Sequence, residues 1–157
     1  MKSIIGILRA SLLILLFHGQ VMAAPSIAVT GAWYETIDKN DLALGPGSDL
    51  KSTHASASGQ IILDISGTAG PDDVWRVEIR KVDDAWDGRL RLWARKTAGG
   101  VYGGESFQEI TNVNTPFFSG TGDVNGIRLQ LQMTGASIAV PPSACSTMVY
   151  YTVVDVP

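Results

Sequence analysis

Few residues in this sequence have the types and spacing that catalysis requires. His54 is the only histidine after residue 23, and Cys145 is the only cysteine of the chain. A Cys145 nucleophile with His54 as its base is therefore the one candidate for covalent catalysis. No Gly-x-Ser-x-Gly elbow, zinc-ligand spacing or phosphate-binding loop is present. We expect a protein that is not an enzyme and that needs no cofactor.

Two acidic clusters have the residue types that bind calcium. The first contains Asp38, Asn40 and Asp41, and the second contains Asp83, Asp84 and Asp87. Calcium takes six to eight oxygen ligands, and neither cluster supplies that number by itself. Asp and Asn also favour turns, since their side chains bond to nearby backbone groups. The sequence therefore predicts turns at both clusters and no metal site.

The distribution of charge predicts a binding surface. Seven of the ten basic residues after residue 23 lie between Val74 and Thr97, and this segment carries a net charge of +3 while the rest carries −8. A guanidinium group can pair with an anion, and an indole ring can stack on a sugar or on a partner side chain. The candidate binding residues of this segment are Arg76, Arg80, Arg91, Trp93 and Arg95.

A hairpin would bring these residues to one face. If residues 83–88 form its loop, Ile79 lies beside Leu92, and the apolar faces of both strands coincide. The same register sets Arg80 opposite Arg91 and Arg76 opposite Arg95. Like charges directly opposite each other are unfavourable, so we expect an acidic group across them. That group is an acidic residue of the next strand, an acidic polysaccharide, or the acidic surface of a second copy.

Apolar residues recur with period two along most of the chain, which predicts an all-β protein. The turn residues between the segments include Asn125-Gly126, which indicates a hairpin turn before the strand that follows. Such a pattern favours an antiparallel β-sandwich of about seven strands and immunoglobulin-like size, formed by one domain over residues 24–157, although a closed barrel also fits. The predicted strands are 27–34, 60–66, 75–80, 89–95, 106–111, 127–134 and 147–154.

Residues 1–23 have the features of a secretory signal peptide. The basic residues Lys2 and Arg9 precede the short apolar run 10–17, and the segment ends in Val21-Met22-Ala23. We therefore expect a secreted protein, periplasmic or extracellular, with no membrane span after cleavage. Its net charge of −5 after residue 23 argues against nucleic-acid binding. In an oxidising compartment the single Cys145 is either a small buried residue or a partner in an intermolecular disulfide.

The last predicted strand, 147–154, is apolar on both faces. Such a strand is either central in a sheet or an edge that another subunit covers. A signal peptide followed by one sandwich-sized β domain with such a final strand resembles small bacterial surface subunits of the fimbrial or spore-coat type. The resemblance implies a sandwich that a strand from a neighbouring subunit or chaperone completes. The expected function is that of a non-enzymatic surface structural or interaction protein that self-assembles or binds another surface protein. The alternative is a module that binds an acidic glycan or another ligand through the Arg/Trp face.

Overall fold

The computed structural model describes residues 24–141 and 143–156, and the predicted signal peptide lies outside the described residues. The prediction of an all-β sandwich is confirmed: two antiparallel sheets make up the molecule. The described residues form nine strands where about seven were expected. They are β1 (Ser26–Thr30), β2 (Thr53–Ala55), β3 (Ile61–Ser66), β4 (Val74–Ala85), β5 (Arg91–Ala98), β6 (Gln108–Glu109), β7 (Thr115–Thr121), β8 (Val124–Thr134) and β9 (Ser146–Asp155).

The larger sheet has six strands in the order β1-β3-β8-β5-β6, and β2 pairs with β8 at the position of His54 and Met133. The smaller sheet has three strands in the order β7-β4-β9. The period-two alternation gives each strand one inward face, because successive side chains of a strand point to opposite sides of the sheet. The two inward faces meet to form the core.

The core is centred on β4 and the strands that face it. Trp75, Val77 and Ile79 of β4 are fully buried. The indole nitrogen of Trp75 donates a hydrogen bond of 2.7 Å to the carbonyl of Gly122, and its ring meets that of Phe118 edge-on. A buried indole that finds an acceptor avoids the cost of an unpaired donor.

The predicted hairpin between β4 and β5 is wrong, because the two strands belong to different sheets. β4 pairs with β7 and β9, whereas β5 pairs with β6 and β8. Arg80 therefore lies opposite Tyr150, and Arg91 lies opposite Thr134. Alternation shows which side chains point inward. The same alternation results whether the next strand pairs in the same sheet or belongs to the opposite sheet, so it does not predict the pairing. The apolar faces of β4 and β5 matched in the expected register because both strands point their apolar side chains into the core that the two sheets share.

The prediction of a hairpin turn at Asn125-Gly126 is also wrong. Both residues lie inside β8, opposite an irregularity of β3 between Leu63 and Ile65. Gly126 has a φ of 72°, and its amide donates a 2.7 Å hydrogen bond to the carboxylate of Asp64. Only glycine adopts this conformation without strain, so the pair that is typical of a hairpin turn forms a bulge instead.

Two strands were not predicted. β2 has only three residues, too few for a period of two to be recognised, and lies in the serine-rich stretch 52–58. β7 contains Pro116 and two consecutive buried residues, Phe117 and Phe118, because the register shifts by one residue against β4 at this point. A bulge places neighbouring side chains on the same side of the sheet, which hides the strand from a search for period two.

β9 is the edge strand of the smaller sheet, which answers the question that its two apolar faces raised. Pro141-Pro142 in the sequence predicts a turn before this strand, and Pro142 lies outside the described residues. Within residues 24–141 and 143–156, no helix has the length and apolar character needed to cross a membrane.

Candidate functional site

The five predicted binding residues do not form one surface. Arg76 and Arg80 alternate with buried residues of β4, so they lie on the outer face of the three-stranded sheet. Arg91, Trp93 and Arg95 alternate with buried residues of β5, so they lie on the outer face of the six-stranded sheet. The outer faces of a sandwich point in opposite directions. One ligand therefore cannot contact both groups as the hairpin register implied.

The two arginines of β4 have partners within the chain. The guanidinium of Arg76 donates a 2.8 Å hydrogen bond to the carboxylate of Glu78, two residues along the same strand. The guanidinium of Arg80 lies 4.6 Å from the ring centroid of Tyr150 on the neighbouring β9. A cation over an aromatic face is favourable, so both groups are already engaged.

The residues of β5 are also engaged by their neighbours. Arg91 pairs with Glu109 of the adjacent β6 at 2.9 Å, which is the acidic residue on the next strand that the sequence allowed for. The indole nitrogen of Trp93 donates to the hydroxyl of Thr134 at 3.0 Å. Arg95 donates to the side-chain carbonyl of Gln130 and lies 4.7 Å from the ring centroid of Phe107.

His54 and Cys145 each have local partners. His54 is buried, with Nε2 at 2.9 Å from the carbonyl oxygen of Lys51 and Nδ1 at 3.9 Å from the carboxylate of Glu35. The sulfur of Cys145 lies 3.7 Å from the hydroxyl of Ser143. Cys145 is half-buried and packs against the small apolar cluster of Leu90, Met133 and Ala136. This environment fits a small apolar residue better than a reactive thiol.

The acidic clusters serve turns and local pairs. Asp38 accepts from the amide of Asn40 at 2.7 Å, and Asp41 accepts from the amide of Asp38 at 3.0 Å, which caps a short 3₁₀ helix. Hydrogen bonds from Arg89 lower the pKa of Asp87 to about 2. In the described part of the chain, no group of three or more His, Cys, Asp or Glu residues is arranged to hold a metal ion.

The edge of β9 is unpaired on its outer side among the described residues. Its ten residues pair on one side with β4, from Ser146 opposite Ala85 to Asp155 opposite Trp75. Among the described residues no strand pairs with its other side. The outward side chains of Met148 and Tyr150 are 57% and 40% exposed. An edge of this kind offers a row of backbone donors and acceptors to another strand.

A cavity of about 1000 Å³ lies beside this edge, between the two sheets. Residues of β5 and β8 and both faces of β9 line it, together with residues of the segments 31–37, 136–141 and 143–145. No pattern in the sequence predicted this cavity. Trp33 lines the cavity. It falls within the predicted strand 27–34, but the observed strand β1 ends at Thr30. The remaining apolar wall residues include Leu90, Leu92, Leu131, Met133, Val149 and Tyr151.

Two polar anchors hold the 136–145 segment in place. The carboxylate of Asp49 accepts hydrogen bonds from the amide of Ile138 at 2.8 Å and from the hydroxyl of Ser137 at 3.0 Å, and these bonds lower the pKa of Asp49. The guanidinium of Arg89 donates to the carbonyl of Ala139 at 2.6 Å while it pairs with Asp87. The wall of the cavity is therefore tied to two other parts of the fold.

Comparison of this chain with models of known protein families, with curated proteins and with solved structures gives no match.

Proposed function

We propose that this chain is a secreted or surface-located, non-enzymatic interaction protein that self-associates through the free edge of β9. The observation that carries this proposal is the character of that edge. β9 is ten residues long, it pairs on one side only among the described residues, and its single charged residue is Asp155 at the end. Natural edge strands are usually short, charged, interrupted by proline or covered, since open edges pair with other chains.

A second copy of β9 is the partner that this edge fits. In an antiparallel pair, side chains directly opposite each other lie on the same face, so a two-fold axis can pass beside Tyr150. Met148 of one copy then faces Thr152 of the other, and Val149 faces Tyr151. From Thr147 to Val153 no charged residue opposes another. Pairing of this kind joins two three-stranded sheets into one sheet of six strands.

The arginines contribute less to the association than the charge distribution suggested. Arg76 and Arg91 have carboxylate partners within the chain, and Arg80 and Arg95 lie over aromatic rings. The acidic-glycan alternative stays a prediction that these contacts do not favour. Association through backbone pairing and apolar side chains also predicts little dependence on salt, because screening acts on exposed charges. Association through the charged faces would be lost as the salt concentration rises.

The test is the oligomeric state of the protein from residue 24 onward and of a double variant, Met148→Lys with Thr152→Lys. In the expected pairing the two new lysines face each other across the interface, so we expect the dissociation constant to rise by more than about tenfold. The matched control, Leu44→Lys with Val113→Lys, changes two exposed apolar residues outside β9. Sedimentation velocity at low and at roughly 1 M salt measures the association. A protein that stays monomeric at high concentration contradicts the proposal, as does a dimer that the β9 variant leaves unchanged.

A disulfide trap tests the position of the two-fold axis. In a Cys145→Ser background, Tyr150→Cys places the same thiol from each copy at directly opposed positions, which lie within reach of a disulfide. We expect covalent dimers after mild oxidation. Val113→Cys in the same background is the control, since Val113 is 62% exposed and lies outside β9. Equal dimer formation by both variants would argue against pairing at Tyr150.

The location of the protein is tested separately. Fractionation of cells that express the full chain, with and without residues 1–23, measures export. We expect the full chain outside the cytoplasm and the shortened chain within it. Retention of the full chain in the cytoplasm would contradict a secreted function.

A further inference from the structure

The cavity beside β9 is large and apolar. Its volume of about 1000 Å³ is at the upper end of the range for sites that bind small molecules. Residues 146–151 all line it, and an extended segment of this length spans about 17 Å. The cavity is therefore long enough for an extended chain of roughly ten carbon atoms, and most of its wall is hydrocarbon.

Exposed apolar side chains are concentrated around the cavity. Five of the ten large hydrophobic residues that are exposed in the described chain also line it: Val29, Tyr34, Ile138, Met148 and Tyr150. Single exposed apolar residues are ordinary, but a group of them around one opening indicates a binding site. These residues would contact a ligand as it enters.

The charge of the wall restricts the ligand further. Glu35 is the only Asp, Glu, Lys, Arg or His among the described residues that line the cavity. Its carboxylate accepts a 3.2 Å hydrogen bond from the indole of Trp33. An anionic head group would meet a like charge here and no lysine or arginine, so the site disfavours fatty acids and favours uncharged molecules.

We propose that this cavity binds an uncharged, elongated amphiphile with a long hydrocarbon chain, such as a long-chain alcohol or a monoacylglycerol. The proposal goes beyond self-association and does not depend on it, because binding can be measured on the monomer and on the dimer. The hydrocarbon chain lies between the sheets along β9, and the aromatic residues Trp33 and Tyr34 lie beside the opening.

The test uses two dyes with the same fluorophore. We expect uncharged N-phenyl-1-naphthylamine to bind with increased fluorescence, and anionic 8-anilinonaphthalene-1-sulfonate to bind at least about tenfold more weakly. 1-Decanol should displace the uncharged dye, whereas decanoate should need about tenfold more. Absence of dye binding, or equal competition by decanol and decanoate, would overturn the proposal.

Filling variants locate the site. Val149→Trp fills the cavity from the inward face of β9, so we expect dye affinity to fall at least about tenfold, while Val113→Trp leaves it unchanged. Ala144→Trp, at an exposed position of the wall, serves the same purpose if Val149→Trp does not fold. Unchanged dye affinity in folded filling variants would show that the assignment is wrong.

Discussion

The two edges of the three-stranded sheet differ in how they are covered. At the β7 edge, the backbone of Ser119 exchanges two hydrogen bonds, of 2.7 and 2.9 Å, with Tyr102 from the segment after β5. The side chain of Gln108 donates to the carbonyl of Pro116 at 3.0 Å. At the β9 edge, no strand is hydrogen-bonded to the outer side among the described residues, although β1 passes close to it. One edge of the sheet is therefore paired with a loop, and the other has no paired strand.

The interior behind each edge differs in the same direction. Behind β7, Phe117 and Phe118 pack against each other and Phe118 meets Trp75, and all three residues are at most 5% exposed. Behind β9, the wall residues Val149 and Tyr151 face the cavity. Tight packing stabilises the β7 side, whereas side chains on the β9 side have fewer packing contacts because they border the cavity. The comparison suggests that stability comes mainly from the β7 side and binding from the β9 side.

The largest expected effect comes from shortening one side chain on the β7 side and comparing it with one on the β9 side. Phe118→Ala removes a fully packed ring, so we expect a loss of about 3–5 kcal/mol in the free energy of unfolding. Val149→Ala enlarges a cavity that is already open, so we expect a loss of less than about 1.5 kcal/mol. Urea denaturation measures both. Equal losses would contradict the difference in packing.

An added methyl group tests the packing of the β7 side. A Cβ atom at Gly120 would lie 2.6 Å from the indole ring of Trp75, and Val101 is close on its other side. We therefore expect Gly120→Ala to destabilise the fold by about 1–3 kcal/mol. Gly88→Ala is the control, because no atom lies within 4 Å of a Cβ at that position. Thermal denaturation compares the two, and a Gly120→Ala variant as stable as its control would indicate a loosely packed side.

Removal of the Tyr151 hydroxyl should have a smaller effect. The hydroxyl is buried without a partner, so Tyr151→Phe removes a polar group that the fold does not use. We expect the melting temperature to stay the same or to rise by a few degrees, for a gain of up to about 1 kcal/mol. A clear fall in the melting temperature would mean that the hydroxyl is hydrogen-bonded in the unliganded protein.

Acid should loosen the cavity side through Asp87. Its pKa in the fold is about 2, below its ordinary value of 3.8, because Arg89 donates to it. A lowered pKa means that the contribution of this pair to stability is fully present above about pH 4 and is lost as the pH falls through about 2. We expect amide exchange at Ala139, whose carbonyl Arg89 holds, to rise over this range, and Asp87→Asn to flatten the change. Exchange that Asp87→Asn leaves unchanged would contradict the link.

The strands themselves could be predicted because burial leaves a period of two in the sequence. The inward positions of β4, β5 and β8 follow directly from it. The predicted single binding surface does not form, because it required β4 and β5 to be neighbours and alternation does not predict which strands are neighbours. Glu78 shares a face of β4 with Arg76 by alternation alone, whereas only the fold places Glu109 beside Arg91.

The sequence by itself determined the all-β class, the inward face of most strands and the unusual apolar character of β9. Only the tertiary structure decided that β9 is an edge, that the arginines divide between two faces and that a cavity separates the sheets beside β9. The physical reason is that hydrophobic pattern is a local property of each strand. Sheet membership and packing volume depend on contacts between residues far apart in the chain.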